Sequence, residues 1–466
     1  MRRFVCLSLL VACTTRAPSE TSGSAGSALP PVEPPPSAKH EPPPAPPPPA
    51  PVVTDASTAA HAHVQNRVLG SPLPESPLVH FVPIEHADTS LAHFRDALHS
   101  LAAGKDDDGK LRIAIYGSSS VAVDRYTGYL RGYLQQRFGD GGIGYVATVP
   151  LWRWHRHNEV TLTATKGWTI DHAQKKAARD GGHLGLMGAA AIAKKKRIGT
   201  TVAPGGKESF SPFAEQSRLE LHYLQQPKGG RFVVEIGTRK LATIATNAKT
   251  IAPAVYVPKR PGHTLEPLHL HLVGDGEVRL LGASLEREEP GVVVDALGIG
   301  GTRAANMLAW DEPGWAQTLA ARAPALWVLA YGANESVDAD ESIDTYRENL
   351  RAVMERFAKV VPDASCLLIG PVDFPIEIED GTWQPRPRLG QIVDVQRELA
   401  AERGCGFFDT RAMMGGEGTM DAWVAAQLAK GDHLHFTKLG YTHLGRVLAD
   451  ALMRDYDAPG TTPPPG

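Results

Sequence analysis

The hydrophobic pattern of the chain changes texture twice. Between residues 90 and 138 apolar positions recur at helical spacing around one continuous apolar run. Leu91, Phe94, Leu98 and Leu101 fall three and four apart, so they predict one face of a helix capped by Ser90. Leu111–Tyr116 predicts a buried strand. Tyr126, Tyr129, Leu130, Tyr133, Leu134 and Phe138 predict a helix over 125–138 that stops at the glycines of GDGGIG. From about Tyr145 to Glu288 the pattern becomes short and alternating. RLELHYL, GRFVVEIG, TIATNA, HLHLVG and EVRLLGASLE are separated by Gly, Pro and Asn turns, which predicts an all-β jelly roll or sandwich. Helix–strand alternation then returns. Strands are expected at 292–297, 325–331, 366–370 and 406–409, with helices at 344–359, 392–403 and 437–453. Strands separated by helices imply a parallel sheet with right-handed crossovers and helices on both faces. The expected fold is a three-layer α/β/α, flavodoxin-like parallel sheet, with an all-β domain inserted after its first strand–helix unit.

The N-terminus has a different character. Arg2 and Arg3 precede a short apolar run, Phe4–Val11, too short to span a bilayer as a helix and suited to a secretory signal. It ends in Leu10-Val11-Ala12-Cys13, which resembles the bacterial lipobox, so Cys13 is the expected lipidation site. A proline-rich stretch comes next (PPVEPPP, PPPAPPPPAP), and such sequence favours stiff, extended polyproline II. The expected organisation is a signal with lipobox over 1–13, a disordered tether over 14–77 and the first part of the α/β domain over 78–144. The β insert occupies 145–289, the second part of the α/β domain 290–455, and a disordered tail 456–466. Lys+Arg of 48 against Asp+Glu of 51 argues against nucleic acid as a partner. With only four cysteines the chain is no disulfide scaffold. Whether Cys366 and Cys405 pair is left open.

Four blocks end a strand or begin a helix in the expected sheet: Gly117–Ser120, Gly298–Thr302, Tyr331–Glu335 and Gly431–Thr437. A serine hydroxyl becomes a nucleophile when a histidine takes its proton, and the histidine needs an acceptor on its other nitrogen. Ser119, His435 and Asp432 supply that set. The Ser119 N–H, the Gly301 N–H and the Asn334 amide are three candidate donors for an oxyanion. Asp432, His433 and His435 could alternatively bind a metal, but no other ligand cluster joins them. His433 and His443 are expected at the surface or behind the site. Trp152, Trp154 and Trp168 could stack on sugars or lie in the core, and the run Lys194–Arg197 reads as a solvated loop.

These blocks resemble those of the SGNH (GDSL-type) hydrolases, and more narrowly the peptidoglycan O-acetylesterases that carry an inserted β-sandwich. The similar phrases are SSVAVD at 119–124, LQQRFGDGGIGYV at 134–146, PGVVVDALGIGG at 290–301, YGANE at 331–335 and DHLHFTKLGY at 432–441. Met414-Gly415-Gly416 with Trp423 is also similar. The resemblance implies Ser119 as nucleophile, Asp432 and His435 as the acid–base pair, Gly301 and Asn334 as oxyanion residues, and no metal or organic cofactor. It further implies an O-acetylated envelope glycan as substrate. With the lipid anchor, it implies a place on the periplasmic face of an outer membrane. Ser118 and Ser120 stand where the family usually has Asp and often His. A transferase sharing the acyl-serine, or a non-catalytic glycan-binding lipoprotein, would carry much of the same pattern.

Overall fold

The computed structural model describes residues 53–459, apart from 173, 175–178, 206–217, 260–265 and 380. Five strands form a parallel sheet: β1 (Lys110–Gly117), β2 (Gly291–Gly298), β3 (Leu326–Ala330), β4 (Ser365–Ile369) and β5 (Gly406–Phe408), in the order β2-β1-β3-β4-β5. All five are buried along their length, as continuous apolar runs covered on both faces must be. Alternate residues go to opposite cores. Ile113, Ile115, Val294 and Val328 face one, while Ala114, Tyr116, Leu297 and Trp327 face the other. The first core is closed by α1 (Asp55–Leu69), α2 (Ala92–Ala102), α3 (Tyr126–Phe138) and α7 (Lys438–Met453). The second is closed by α4 (Glu312–Arg322), α5 (Ile343–Val360) and α6 (Pro387–Glu402). The three-layer expectation therefore matches the described residues.

Residues 142–286 build two antiparallel sheets. One contains Gly142–Val146, Thr169–His172, Ala189–Ala193, Arg218–Gln225, Ala252–Tyr256 and Val278–Glu286. The other contains Val160–Ala164, Gly199–Pro204, Arg231–Ile236, Arg239–Ala245 and Leu268–Leu272. Leu221, Phe232, Val234, Leu270 and Leu280 are buried in a core of their own. Lys194–Arg197 is an exposed turn between two strands of the insert.

The insert is welded to the parallel sheet by buried charge. Arg322 on α4 donates to Asp295 on β2 at 2.5 and 2.9 Å and to Glu286 and Ser284 on an insert strand at 3.0 and 2.6 Å. Arg112 on β1 reaches the same Glu286 at 2.9 and 2.7 Å. Asp295 also accepts the Tyr145 N–H at 2.7 Å. Buried ions cost desolvation energy unless each is paired and bonded, and here each is.

Four expectations are corrected. The tail does not begin at 456, because Tyr456 stacks on His99 with ring centroids 4.4 Å apart and Arg137 donates to Asp457 at 2.8 and 2.7 Å. The tether does not run to 77, because α1 lies within it. Ala60 and Val64 are fully buried, Val68 nearly so, and Thr54 and Gly70 cap the two ends. The four-residue spacing of these small apolar residues was hidden among alanines and histidines. Ser90 does not cap α2, for it ends a short preceding turn of helix and Leu91 takes the cap position. The insert's first strand begins at Gly142, inside the segment read as a helix stop, because Gly142–Val146 pairs with Val278–Glu286.

Candidate active site

The ends of β1, β2 and β3 are level: Gly117 pairs with Gly298 on one side and with Ala330 on the other. The turns leaving these three strands therefore emerge at one edge of the sheet. In this strand order, that edge between β1 and β3 is where the winding direction reverses and a crevice opens. A Cβ at Gly117 would run into Val121 and the Ala330 carbonyl, so only glycine lets the chain turn sharply into Ser119.

Ser119, Asp432 and His435 form one hydrogen-bonded chain. Ser119 Oγ lies 2.8 Å from His435 Nε2, and His435 Nδ1 lies 2.8 Å from Asp432 Oδ2. Asp432 Oδ1 also accepts the His435 N–H at 2.9 Å and the Leu434 N–H at 3.1 Å. Partial burial pushes the Asp432 carboxyl up, but these hydrogen bonds outweigh it and hold the group below the usual carboxylate range. Asp432 thus stays ionised and fixes Nδ1–H as donor, which leaves Nε2 free to accept the serine proton. Ser119 and His435 line a small cleft of about 50 Å³ with Tyr331, Ala333, Pro371 and Leu434.

Gly301 and Asn334 meet through Thr302. The Asn334 amide donates to the Thr302 carbonyl at 2.9 Å, which leaves its second N–H for another acceptor. Gly301 has φ +78°, the left-handed region that favours glycine. The sequence pattern did not reveal the braces of these two turns. Glu335 is 2% exposed and its carboxylate accepts the Gly332 N–H and the Ala304 N–H, both at 2.9 Å. Burial pushes its carboxyl up. Arg303 adds a second brace, donating to the Gly301 carbonyl at 3.2 Å while pairing with Asp338. A glutamate directly after the candidate asparagine was the available signal. The insert also reaches this turn: Gln174 abuts Gly301, and a Cβ at Gly300 would sit 3.1 Å from the Trp152 ring.

A buried pair underlies the nucleophile turn. Asp124 and Arg131 are both fully buried and bond at 2.9 and 3.0 Å. Asp124 also accepts from Thr127 at 2.7 Å and from the Asn158 N–H of the insert at 2.8 Å. Burial opposes ionisation of Asp124, but Arg131 prevails and holds the carboxyl down at about 2. His433 and His443 are buried rather than superficial. His433 Nε2 lies 2.8 Å from Asp421. Met414 and Trp423 are also buried, the indole donating to the Met414 carbonyl at 3.1 Å. Cys366 and Cys405 are joined in a disulfide, Cα atoms 4.8 Å apart. Cys13 lies outside the described residues.

Residues 268–443 match the family model of the GDSL-like lipases/acylhydrolases. The span holds Gly301, Asn334, Asp432 and His435, while Ser119 precedes it. The matched span is similar to the GDSL-like acylhydrolases and takes in 176 of the 466 residues. Among solved structures, the chain is similar to a peptidoglycan O-acetylesterase at TM-score 0.66 and 22% identity, covering 80% of this chain and 98% of that one. It is more distantly similar to an acetyl xylan esterase (TM-score 0.26, 16% identity, 34% and 78% covered). A family two carbohydrate esterase from Cellvibrio japonicus stands at TM-score 0.26 and 10% identity, with 63% and 97% covered. No curated protein matches by sequence. Ser118, which stands where the GDSL name has aspartate, precedes the matched span and is buried at the head of the nucleophile turn.

Proposed function

We propose that this chain is a serine esterase that removes O-acetyl groups from a cell-envelope glycan, with peptidoglycan as the substrate. The observation that carries the reading is the 2.8 Å and 2.8 Å chain from Ser119 through His435 to Asp432 at the level strand ends. His435 takes the Ser119 proton as Ser119 Oγ attacks the acetyl carbonyl. The oxyanion is held by the Ser119 N–H, the Gly301 N–H and the free N–H of Asn334. His435 then protonates the departing sugar oxygen. Water, activated by the same nitrogen, releases acetate and restores the serine. The name of the peptidoglycan O-acetylesterase with the similar fold supports the choice of polymer.

In this reading the two antiparallel sheets of residues 142–286 are an inserted sandwich of carbohydrate-module type. Cys13 bears the lipid, and the proline-rich stretch holds the enzyme away from the outer membrane on its periplasmic side. The test is acetate release from O-acetylated peptidoglycan and from a simple aryl acetate. Hydrolysis of both by the wild type and of neither by Ser119→Ala is expected. No release above that control on either substrate would leave a glycan-binding protein. Transfer of acetyl to an added glycan with little hydrolysis would make it a transferase. Retention of a Cys13→Ala variant in the membrane fraction would overturn the anchor.

A further inference from the structure

We infer that the insert segment Trp152–Arg156 forms a stacking platform for a pyranose ring, next to the oxyanion turn, with Trp154 as the contact surface. The inference rests on the esterase reading for what the sugar carries, and on separate observations for where it binds. The segment is anchored at both ends to the turns that flank Ser119. At one end Trp152 packs on Gly300 so closely that a Cβ there would lie 3.1 and 3.2 Å from its ring carbons. At the other end the Arg156 N–H donates to the Ala122 carbonyl at 3.2 Å, within the single helical turn that begins at Ser119. Between the anchors the chain folds back, the His155 N–H donating to the Trp152 carbonyl at 3.1 Å.

Trp154 is the apex of this fold, two residues from each anchor. Consecutive Cα atoms are about 3.8 Å apart, so its Cα lies within about 7.6 Å of both anchor residues. The residue is 55% exposed, the one aromatic among the exposed large hydrophobic residues of the described chain. The Arg153 guanidinium lies over the ring, 4.7 Å from its centroid. That contact holds the indole in place and covers part of it, while the remaining surface faces solvent. A lone exposed indole is costly in water, and it is suited to the flat apolar face of a sugar ring, whose C–H groups pack on an aromatic surface. Trp168, by contrast, is tied to the insert by a bond from its Nε1 to the Gly199 carbonyl at 3.2 Å. Beyond the apex, His155 and Arg156 line a cavity of about 300 Å³. The ring on Trp154 would be one whose ester reaches Ser119, or its immediate neighbour in the polymer.

The test compares wild type, Trp154→Ala and Trp154→Phe on O-acetylated peptidoglycan fragments and on 4-nitrophenyl acetate. The expected result is a fall of about tenfold in the ratio of glycan to aryl-acetate kcat/KM for Trp154→Ala, carried by KM. Trp154→Phe should recover most of it. A parallel fall on both substrates would assign Trp154 a structural role and overturn the inference, as would no change on either. If the wild type hydrolyses neither substrate, the esterase reading fails instead. The platform is then tested by calorimetric binding of de-O-acetylated peptidoglycan fragments, which Trp154→Ala should weaken about tenfold. Equal affinity would overturn it.

Discussion

The indole of Trp383 lies flat on the imidazole of His433, ring centroids 3.7 Å apart and 19° from parallel. Trp383 sits on a small hairpin, Ile376–Glu379 paired with Thr382–Gln384, and His433 is the residue after Asp432. His433 has φ +50°, a left-handed conformation uncommon for a side-chain-bearing residue, and its ring is also held by Asp421. The hairpin thus clamps the loop that carries the acid and the base. Trp383→Ala is expected to lower kcat on an aryl acetate by about tenfold, because small misplacements of a base are costly. Trp383→Phe should retain most of the activity. A kcat unchanged in Trp383→Ala would show that the hairpin does not position the base.

The proposed roles of Asn334 and Asp432 make separable predictions. Asn334→Ala removes one oxyanion donor and should cost about 10²–10³ in kcat with little change in KM. Asp432→Asn reverses the hydrogen-bond preference at His435 Nδ1 and should cost about 10⁴. Steady-state kinetics on 4-nitrophenyl acetate checks both, and a large rise in KM for Asn334→Ala would place it in ground-state binding instead.

Glu335 joins the Gly332 and Ala304 backbones. Glu335→Gln can accept through one oxygen only and sets an N–H₂ against the other N–H donor. A stability loss of about 1–3 kcal/mol is expected, as for any buried group left unpaired. Kcat should fall with it, because the turns bearing Gly301 and Asn334 lose their common brace. Urea unfolding alongside kinetics tests the coupling, and a destabilised enzyme with full kcat would break it.

Two buried histidines set an acid limit. Burial holds His157 down at about 3 and His222 at about 3, against an ordinary value of 6.5. Above pH 6.5 neither state is protonated and their contribution is complete. Between pH 6.5 and 3 the unfolded chain takes up protons that the folded chain refuses. Stability therefore falls with pH, by about 1.4 kcal/mol per unit for each histidine. Urea midpoints at pH 7.0, 5.5 and 4.5 should decline, less steeply in His222→Gln than in wild type. Parallel declines in the two proteins would sink the assignment.

The Cys366–Cys405 bridge closes a loop of 39 residues near the amino ends of β4 and β5, the opposite edge from Ser119. A loop of that length corresponds to about 4 kcal/mol in the chain-entropy account. Cys366→Ser with Cys405→Ser should lower the unfolding temperature by several degrees and leave kcat at 25 °C unchanged.

Much of this architecture is legible in the sequence because parallel strands are dominated by apolar residues, with Asp295 the one charge within β2. Val292–Leu297 and Leu326–Ala330 could be little else, and the level strand ends reflect where those runs stop at glycine. Ser119, Asp432 and His435 could be selected because their chemistry demands neighbours of particular kinds. The features that could not be read depend on tertiary partners. The helix α1 has almost no apolar stripe, and only α3 and α7 beside it make Ala60 and Val64 interior residues. The hairpin bearing Trp383 is charged and mostly exposed, so alternation carries no signal there. Glu335 reads as a surface glutamate until both backbone donors are placed around it.

The register of β1 against β2 pairs Lys110 with Gly291, about 180 positions later in the chain. Strand β1 can therefore gain this neighbour only by closing a loop over the whole intervening segment, and Arg322, Glu286 and Asp295 bind the two parts at that seam. Closing so long a loop is entropically slow, and contacts between distant positions delay folding. The catalytic edge is thus a late product of folding. A defect anywhere in the insert would delay the appearance of activity during refolding, even where the finished enzyme turns over at full rate.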